Sequence, residues 1–319
     1  MGNLIGRIRT AFAPATVANV GPGFDVLGLA VSFPGDTVSV EAVDEPGVQL
    51  VKITGDGGLL PTDPQSNTAA VAATKVLDLL GLRDTIGVRL TLNKGLPLGS
   101  GMGSSGASAV AAALATANLV DTPPPRIELL NACREGEAIA CGSPHADNVA
   151  PSLVGGIVLL RPSETLDVIS LPVPRGLYCA LAHPSVVIRT ADARAALPKA
   201  VPLPDAVYSG ACLASLVSAL YDRDFERLAR SIDDRLATPT RSRLIPGYDA
   251  VRASALAAGA VGCSISGSGP TMFAFAVGAK SARRVAKAMR QTFLTYVQSC
   301  EIWACPVDNH GAKLVIPAG

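Results

Sequence analysis

In the run VRLTLN, Val88, Leu90 and Leu92 alternate with Arg89, Thr91 and Asn93. A period of two with apolar residues on one side predicts a half-buried strand. DTVSVEAV (36–43) alternates in the same way. Between them, NTAAVAATKVLDLLGL (67–82) carries apolar residues at helical spacing, with Gly81 as its closing glycine. After the strand at 88–93 come the glycine-rich LPLGSGMGSS (96–105) and then the alanine-rich SSGASAVAAALATANLV (104–120), a strong helix former. The order strand, glycine loop, helix start makes a linker an unsuitable reading of residues 96–105.

The second half reads as α+β. DAVYSGACLASLVSAL, FERLARSIDDRLA and YDAVRASALAAGA predict three helices. VGCSIS, GSGP and TMFAFAV predict strand, turn and strand; ARRVAKAMRQTFLTYV predicts a last helix; CEIWACPV and AKLVI predict final strands. One sheet with helices on one face suits this order. PVPRG (172–176), after the apolar LVGGIVLLRP, marks a domain boundary near residue 170. The expected division is therefore 1–170 and 171–319.

Composition narrows the function. With 319 residues, 49% hydrophobic and 4% aromatic, the chain builds its core from small aliphatic residues. The formal charge is +1 and no Lys/Arg run occurs, which argues against nucleic acid and favours a small neutral or zwitterionic substrate. Seven scattered cysteines without a Cys-x-x-Cys pair suit a reducing compartment and neither disulfides nor structural zinc. No secretory or membrane-spanning run is apparent, so a cytoplasmic location is expected, or a plastid one if a transit peptide has been removed.

Four clusters carry candidate chemistry. In the glycine loop, backbone amides at a helix start suit a phosphate; the alternative is a turn whose Ser104 or Ser105 caps the helix. The loop lacks the Gly-Lys-Ser/Thr ending of a Walker motif. APATVANVGPGFDVLG (13–28) holds Asn19 and Asp25 around a Gly-Pro-Gly bend, aimed at a ligand or forming a surface turn. Glu137 shares a helical face with Leu130, Cys133, Ala140 and Cys141, so it needs a cation: Mg²⁺ beside a phosphate, or a Lys or Arg. Glu135 lies on a solvated face. SPHADN offers His145, Asp147 and Asn148 for a polar substrate or an Asx turn; lone His183 and His310 do not complete a zinc set. SISGSGP (264–270) is a hairpin turn or a partner to the first loop.

LPLGSGMGSSGAS resembles the phosphate loop of the GHMP kinases. FAPATVANVGPGFDVLGLAV, GSPHADNVAPSLVGG, PTRSRLIPGY and GCSISGSGPTMFAF are similar, in order, to the homoserine kinase branch. That resemblance implies an α+β fold. Its N-terminal ATP-binding domain would carry a left-handed βαβ crossover (ribosomal S5 domain 2-like), and its C-terminal domain would be ferredoxin-like. It implies that Pro97, Leu98, Gly99, Ser100, Gly101, Met102, Gly103, Ser104, Ser105, Gly106 and Ala107 hold ATP, and that Ser105 and Glu137 hold Mg²⁺. Asn19, Asp25, His145, Asp147, Asn148, Arg194 and Arg241 would line the L-homoserine site, with both arginines on the carboxylate and Asp25 at the ammonium. Glu137, Asp147 and Asn148 would be catalytic, the last two orienting the acceptor hydroxyl. The implied reaction is Mg·ATP-dependent formation of O-phospho-L-homoserine for threonine synthesis, in a homodimer. Alternatives are a mevalonate or sugar kinase of the same superfamily, or a ligand sensor on the same fold. Three residues depart from the pattern: Met102 for leucine, Gly106 for alanine, and Arg189 where a serine or other small residue is usual.

Overall fold

The structure is a computed structural model that describes residues 4–142, 144–162 and 166–315. The chain opens with β1 (Ile8–Ala18), β2 (Leu27–Val43) and β3 (Gly47–Thr54), followed by α1 (Thr68–Leu79) and β4 (Gly87–Asn93). Then come α2 (Ser104–Ala117), α3 (Leu130–Cys141), α4 (Val149–Val154), β5 (Ile157–Arg161) and β6 (Asp167–Leu171). The two predicted strands are the end of β2 and β4, which pair antiparallel. The alternation holds: Val88, Leu90 and Leu92 are buried, and Arg89 and Asn93 are exposed. Helix α1 starts at Asn67, whose side chain accepts the amides of Ala69 and Ala70. It ends before Gly81, at φ +66°.

Strand β2 is long because one of its edges serves two neighbours, while β1 runs along the other. Its first residues pair with β5 and its last seven with β4. β3 joins β4 in parallel across α1, a pairing that needs such a crossover.

The second half contributes β7 (Leu177–Pro184), α5 (Thr190–Ala195), α6 (Leu203–Asp222), α7 (Phe225–Ser231), α8 (Thr238–Arg241) and α9 (Tyr248–Ala257). It continues with β8 (Gly262–Ile265), β9 (Met272–Val277), α10 (Ala279–Phe293), β10 (Cys300–Pro306) and β11 (Lys313–Leu314). The four-stranded sheet runs β10-β7-β9-β8, all antiparallel. With helices between β7 and β8 and between β9 and β10, this is the ferredoxin-like arrangement. Val251, Ala255, Val285, Met289 and Phe293 from α9 and α10 pack on one face of it. The other face joins the first half's core through Leu181, Phe273 and Phe275.

Two expectations from the sequence fail. AKLVI does not extend the second sheet: Lys313 and Leu314 pair with Phe12 and Ala11 of β1, in the first sheet, and Ile316 lies outside the described residues. The helix expected over 225–237 stops at Ser231. The Asp234 carboxylate accepts the amides of Leu236, Ala237 and Thr238 instead, a local alternative to helix that Asp offers readily.

A fully buried ion pair joins Lys94, just past the end of β4, to Asp36 in β2. Lys94 Nζ also donates to the Ser104 carbonyl at 2.8 Å and Ser108 Oγ at 2.9 Å. The other Asp36 oxygen accepts the amides of Gly95 and Leu96. Burial pushes the Lys94 ammonium pKa down, and Asp36 opposes that shift. Lys94→Met would strand a buried carboxylate. We expect a loss of about 3–5 kcal/mol, read by urea unfolding.

Candidate active site

The glycine loop and α2 rise from this buried pair. Gly99, Gly101 and Gly103 all have positive φ, turning successive amides toward one side as an anion nest does. At two positions nothing but glycine fits. A Cβ on Gly103 would sit 2.1 Å from Thr16 Oγ1, and one on Gly101 2.5 Å from the Ser266 carbonyl. Gly103 precedes α2 in the left-handed conformation and no side chain caps the helix, so the capping-serine reading fails. The amides of Ser104, Ser105 and Gly106 have no intrahelical acceptor, and the helix dipole favours an anion before them.

The second glycine loop clamps the first. Ser266 Oγ donates to the Gly101 carbonyl at 2.7 Å, and the Thr271 amide to Ser100 at 3.2 Å. The Gly267 amide reaches back to the Ala18 carbonyl at 3.0 Å. His183 Nδ1 lies 3.0 Å from Thr271 Oγ1, behind this clamp.

A cleft of about 530 Å³ runs along the loop. Leu98, Gly99, Ser100, Gly101, Gly103, Ser104 and Ser105 line it. Pro97 is half-buried outside it, and Met102, Gly106 and Ala107 face the core. Asn19, Asp25, Glu137, His145, Asp147, Asn148, Arg194 and Arg241 line the same cleft. Residues 120 or more apart in sequence are thus brought together. Ser143 of the SPHADN motif lies outside the described residues. Lys94 also reaches the cleft and was missed; its signal was a single lysine placed between strand and glycine loop.

At one end the groups are charged in pairs. Asp25 and Asn19 both take left-handed backbone at φ +58° and +57°. Asn19 Oδ1 accepts the Asp25 amide at 2.8 Å, and its Nδ2 donates to Gly267 at 3.0 Å. Both ends of that amide therefore brace the bend. Arg194 holds the Asp25 carboxylate with two bonds, 3.1 and 2.8 Å. Arg241, 3% exposed, donates to the Gly267 carbonyl at 2.9 Å. Both guanidiniums lie over the Phe24 ring, at 5.6 and 5.2 Å. Arg241 Nε and His145 Nε2 are buried with no hydrogen-bond partner among the described residues. Burial, then the nearby Arg194 charge, pushes the His145 pKa down, so the ring is neutral at pH 7.

Asn148 Oδ1 accepts from Thr16 Oγ1 at 2.7 Å, which leaves its NH₂ as the group for a ligand. Glu137, 6% exposed on α3, has Oε2 3.7 Å from where a Gly106 Cβ would be, beside the first turn of α2. Lys94 feels its charge. Glu135, as expected, is on the exposed side, where it meets Lys75 at 2.7 Å.

Comparison with known proteins decides the family. Residues 67–156 match the GHMP kinases N terminal domain and residues 216–294 the GHMP kinases C terminal domain. The homoserine kinase of Chlorobium phaeobacteroides (strain BS1) is 44% identical over 316 residues, covering 96% of this chain and 99% of that protein. The chain belongs to the homoserine kinase family. Its members are ATP-dependent kinases of a hydroxyl group, and ATP is the co-substrate. A crystal structure of homoserine kinase from Cytophaga hutchinsonii superposes with a TM-score of 0.93, 44% identity and 97% of both chains covered. The mevalonate kinase of L. major, at TM-score 0.73 and 16% identity over 93% of this chain and 95% of that one, shares the fold alone.

Asp147 is a buried carboxyl of the site. Burial, then the Asp25 charge, raises its pKa from 3.8 to about 6. The unfolded chain therefore loses this proton first. Stability contributed by the neutral acid is present below pH 4 and is lost as pH rises to 6. Asp147→Asn mimics the neutral form. It should stabilise the protein by about 3 kcal/mol at pH 8 and by little at pH 4, while lowering kcat. Unfolding curves at the two pH values, beside turnover, check this.

Proposed function

We propose that the chain phosphorylates the side-chain hydroxyl of L-homoserine. The observation that carries this reading is the Arg194–Asp25 ion pair, with Arg241 and Asp147 beside it, at one end of a cleft whose other end is an amide-lined anion seat. Two cations and two carboxylates complement a zwitterion. Mevalonate and sugars bring no ammonium to such a set. Arg241, buried with Nε unpartnered among the described residues, suits a carboxylate through charge-assisted bonds. Asp25 suits the ammonium, with Arg194 shared between it and the carboxylate.

The resident ion in this reading is Mg²⁺. Ser105 and Glu137 supply hard oxygen donors on one side of the α2 start, which fits a cation that keeps most of its ligands as water and phosphate oxygens. When bound, it neutralises charge on the phosphates. The chain's own residues do the rest. The loop amides of residues 98–105 meet the phosphate oxygens. Asp147 accepts from the homoserine hydroxyl and Asn148 donates beside it, aligning the oxygen with the phosphorus. The bond from the γ-phosphorus to its bridging oxygen breaks with its electron pair left on ADP, the bond to the hydroxyl oxygen forms, and the hydroxyl proton passes along its hydrogen bond to the Asp147 carboxylate. Positioning and charge neutralisation account for most of such a transfer.

The division into an ATP-binding unit over 1–170 and a second unit over 171–319 belongs to the same proposal. So does a homodimer, to which the exposed Leu203 and Val207 of α6 contribute apolar surface.

ADP release, compared across homoserine, serine, threonine, mevalonate and galactose, tests the acceptor. Homoserine should exceed the others in kcat/KM, and a preference for mevalonate or galactose would reject the reading. Arg241→Ala should raise the homoserine KM ten- to a hundredfold, given about 1.5–3 kcal/mol for a charged hydrogen bond. Glu137→Gln should lower kcat by about two orders of magnitude and weaken the Mg²⁺ dependence.

A further inference from the structure

Four cations line the cleft: Lys94, Arg189, Arg194 and Arg241. Three are held by the protein. Lys94 is bound to Asp36 and Ser108, Arg194 to Asp25, and Arg241 to the Gly267 carbonyl. Arg189 is exposed and makes no side-chain hydrogen bond or ion pair among the described residues. Its charge is therefore one that no carboxylate contacts among the described residues, and it is available to an entering anion.

The root of Arg189 is fixed on the phosphate side. Val187 Cγ1 and the Ile188 carbonyl lie 3.3 and 3.9 Å from where a Gly99 Cβ would be, so this strand of chain rests on the first turn of the phosphate loop. Ile188 is buried in the second half's core. Thr190 Oγ1 lies 3.4 Å from Ser268 Oγ, on the second glycine loop. Arg189 thus emerges between the two loops, whereas Arg194 and Arg241 gather around Phe24 at the substrate end.

We propose that Arg189 is a further catalytic residue, whose guanidinium closes over the phosphoryl group in flight from the side opposite the loop amides. The inference rests on the kinase reading above. Charge on the transferring group is spread over three oxygens. The amides face it from one side, and a planar fork of N–H donors can bind two oxygens from the other. The root is held by packing and the head is left free, so the arm can meet an anion without breaking any bond of its own.

Arg189→Ser and Arg189→Lys test the proposal in the full-length protein. Arg189 is exposed, so both variants should unfold at the wild-type temperature. The serine variant should lose about a hundredfold in kcat, on the scale of one lost electrostatic stabiliser, with the homoserine KM within twofold of wild type. Its Kd for ATP should rise about tenfold while that for ADP stays put. The lysine variant should recover part of kcat. A raised homoserine KM with unchanged kcat would move Arg189 to the carboxylate end and overturn the proposal. Equal weakening of ATP and ADP, or no change in any constant, would also overturn it. The contrast between ATP and ADP binding needs no acceptor. It therefore reads out Arg189 even if the wild-type protein turned over something other than homoserine.

Discussion

Asp36 and Lys94 form the contact on which the site depends. Neither is exposed to water, and each costs several kcal/mol to bury alone. Together they fasten the middle of β2, the end of β4, the first amides of the phosphate loop and the first turn of α2. Four pieces of backbone are thereby set relative to one another by a single pair of side chains. The loop beyond them has glycine at 99, 101 and 103 and so little intrinsic preference for one shape. Its shape is imposed from its two ends and from the Ser266–Thr271 clamp.

The charged end of the cleft follows another logic. Asn19 spends both ends of its amide on the bend that presents Asp25 and on the Gly267 carbonyl. Gly267 is also where Arg241 donates. One carbonyl from the second half thus aligns two polar residues from distant parts of the chain. Asp147 sits beside them with a charge that burial resists, so the site holds a carboxylate at the expense of stability, as functional sites often do.

Much of this was legible in the sequence, because local patterns carried it. The alternation in VRLTLN, the closing Gly81 and the Ala-rich run after the glycines are short-range signals, and β4, α1 and α2 follow from them. Glu137 was legible because a carboxylate on an apolar helical face has few explanations. Other features depended on distant contacts. Lys94 looks ordinary until β2 brings Asp36 to it. Ser104 and Ser105 look like caps until Gly103 turns left-handed and frees them. The helix begun at Phe225 stops because Asp234 finds backbone amides nearby, a choice that propensity alone does not show. Lys313 and Leu314 read as a strand in any sheet, and only the packed chain shows which edge was open.

That open edge has a consequence for how the protein is made. Ala11 and Phe12 leave the ribosome long before their partners Leu314 and Lys313. The first sheet stays unfinished along β1 until those partners emerge. The clamp from residues 266–271 likewise reaches the phosphate loop only after everything between them has been translated. A nascent fragment can fold much of its interior early, yet its nucleotide loop stays unbraced until that clamp arrives.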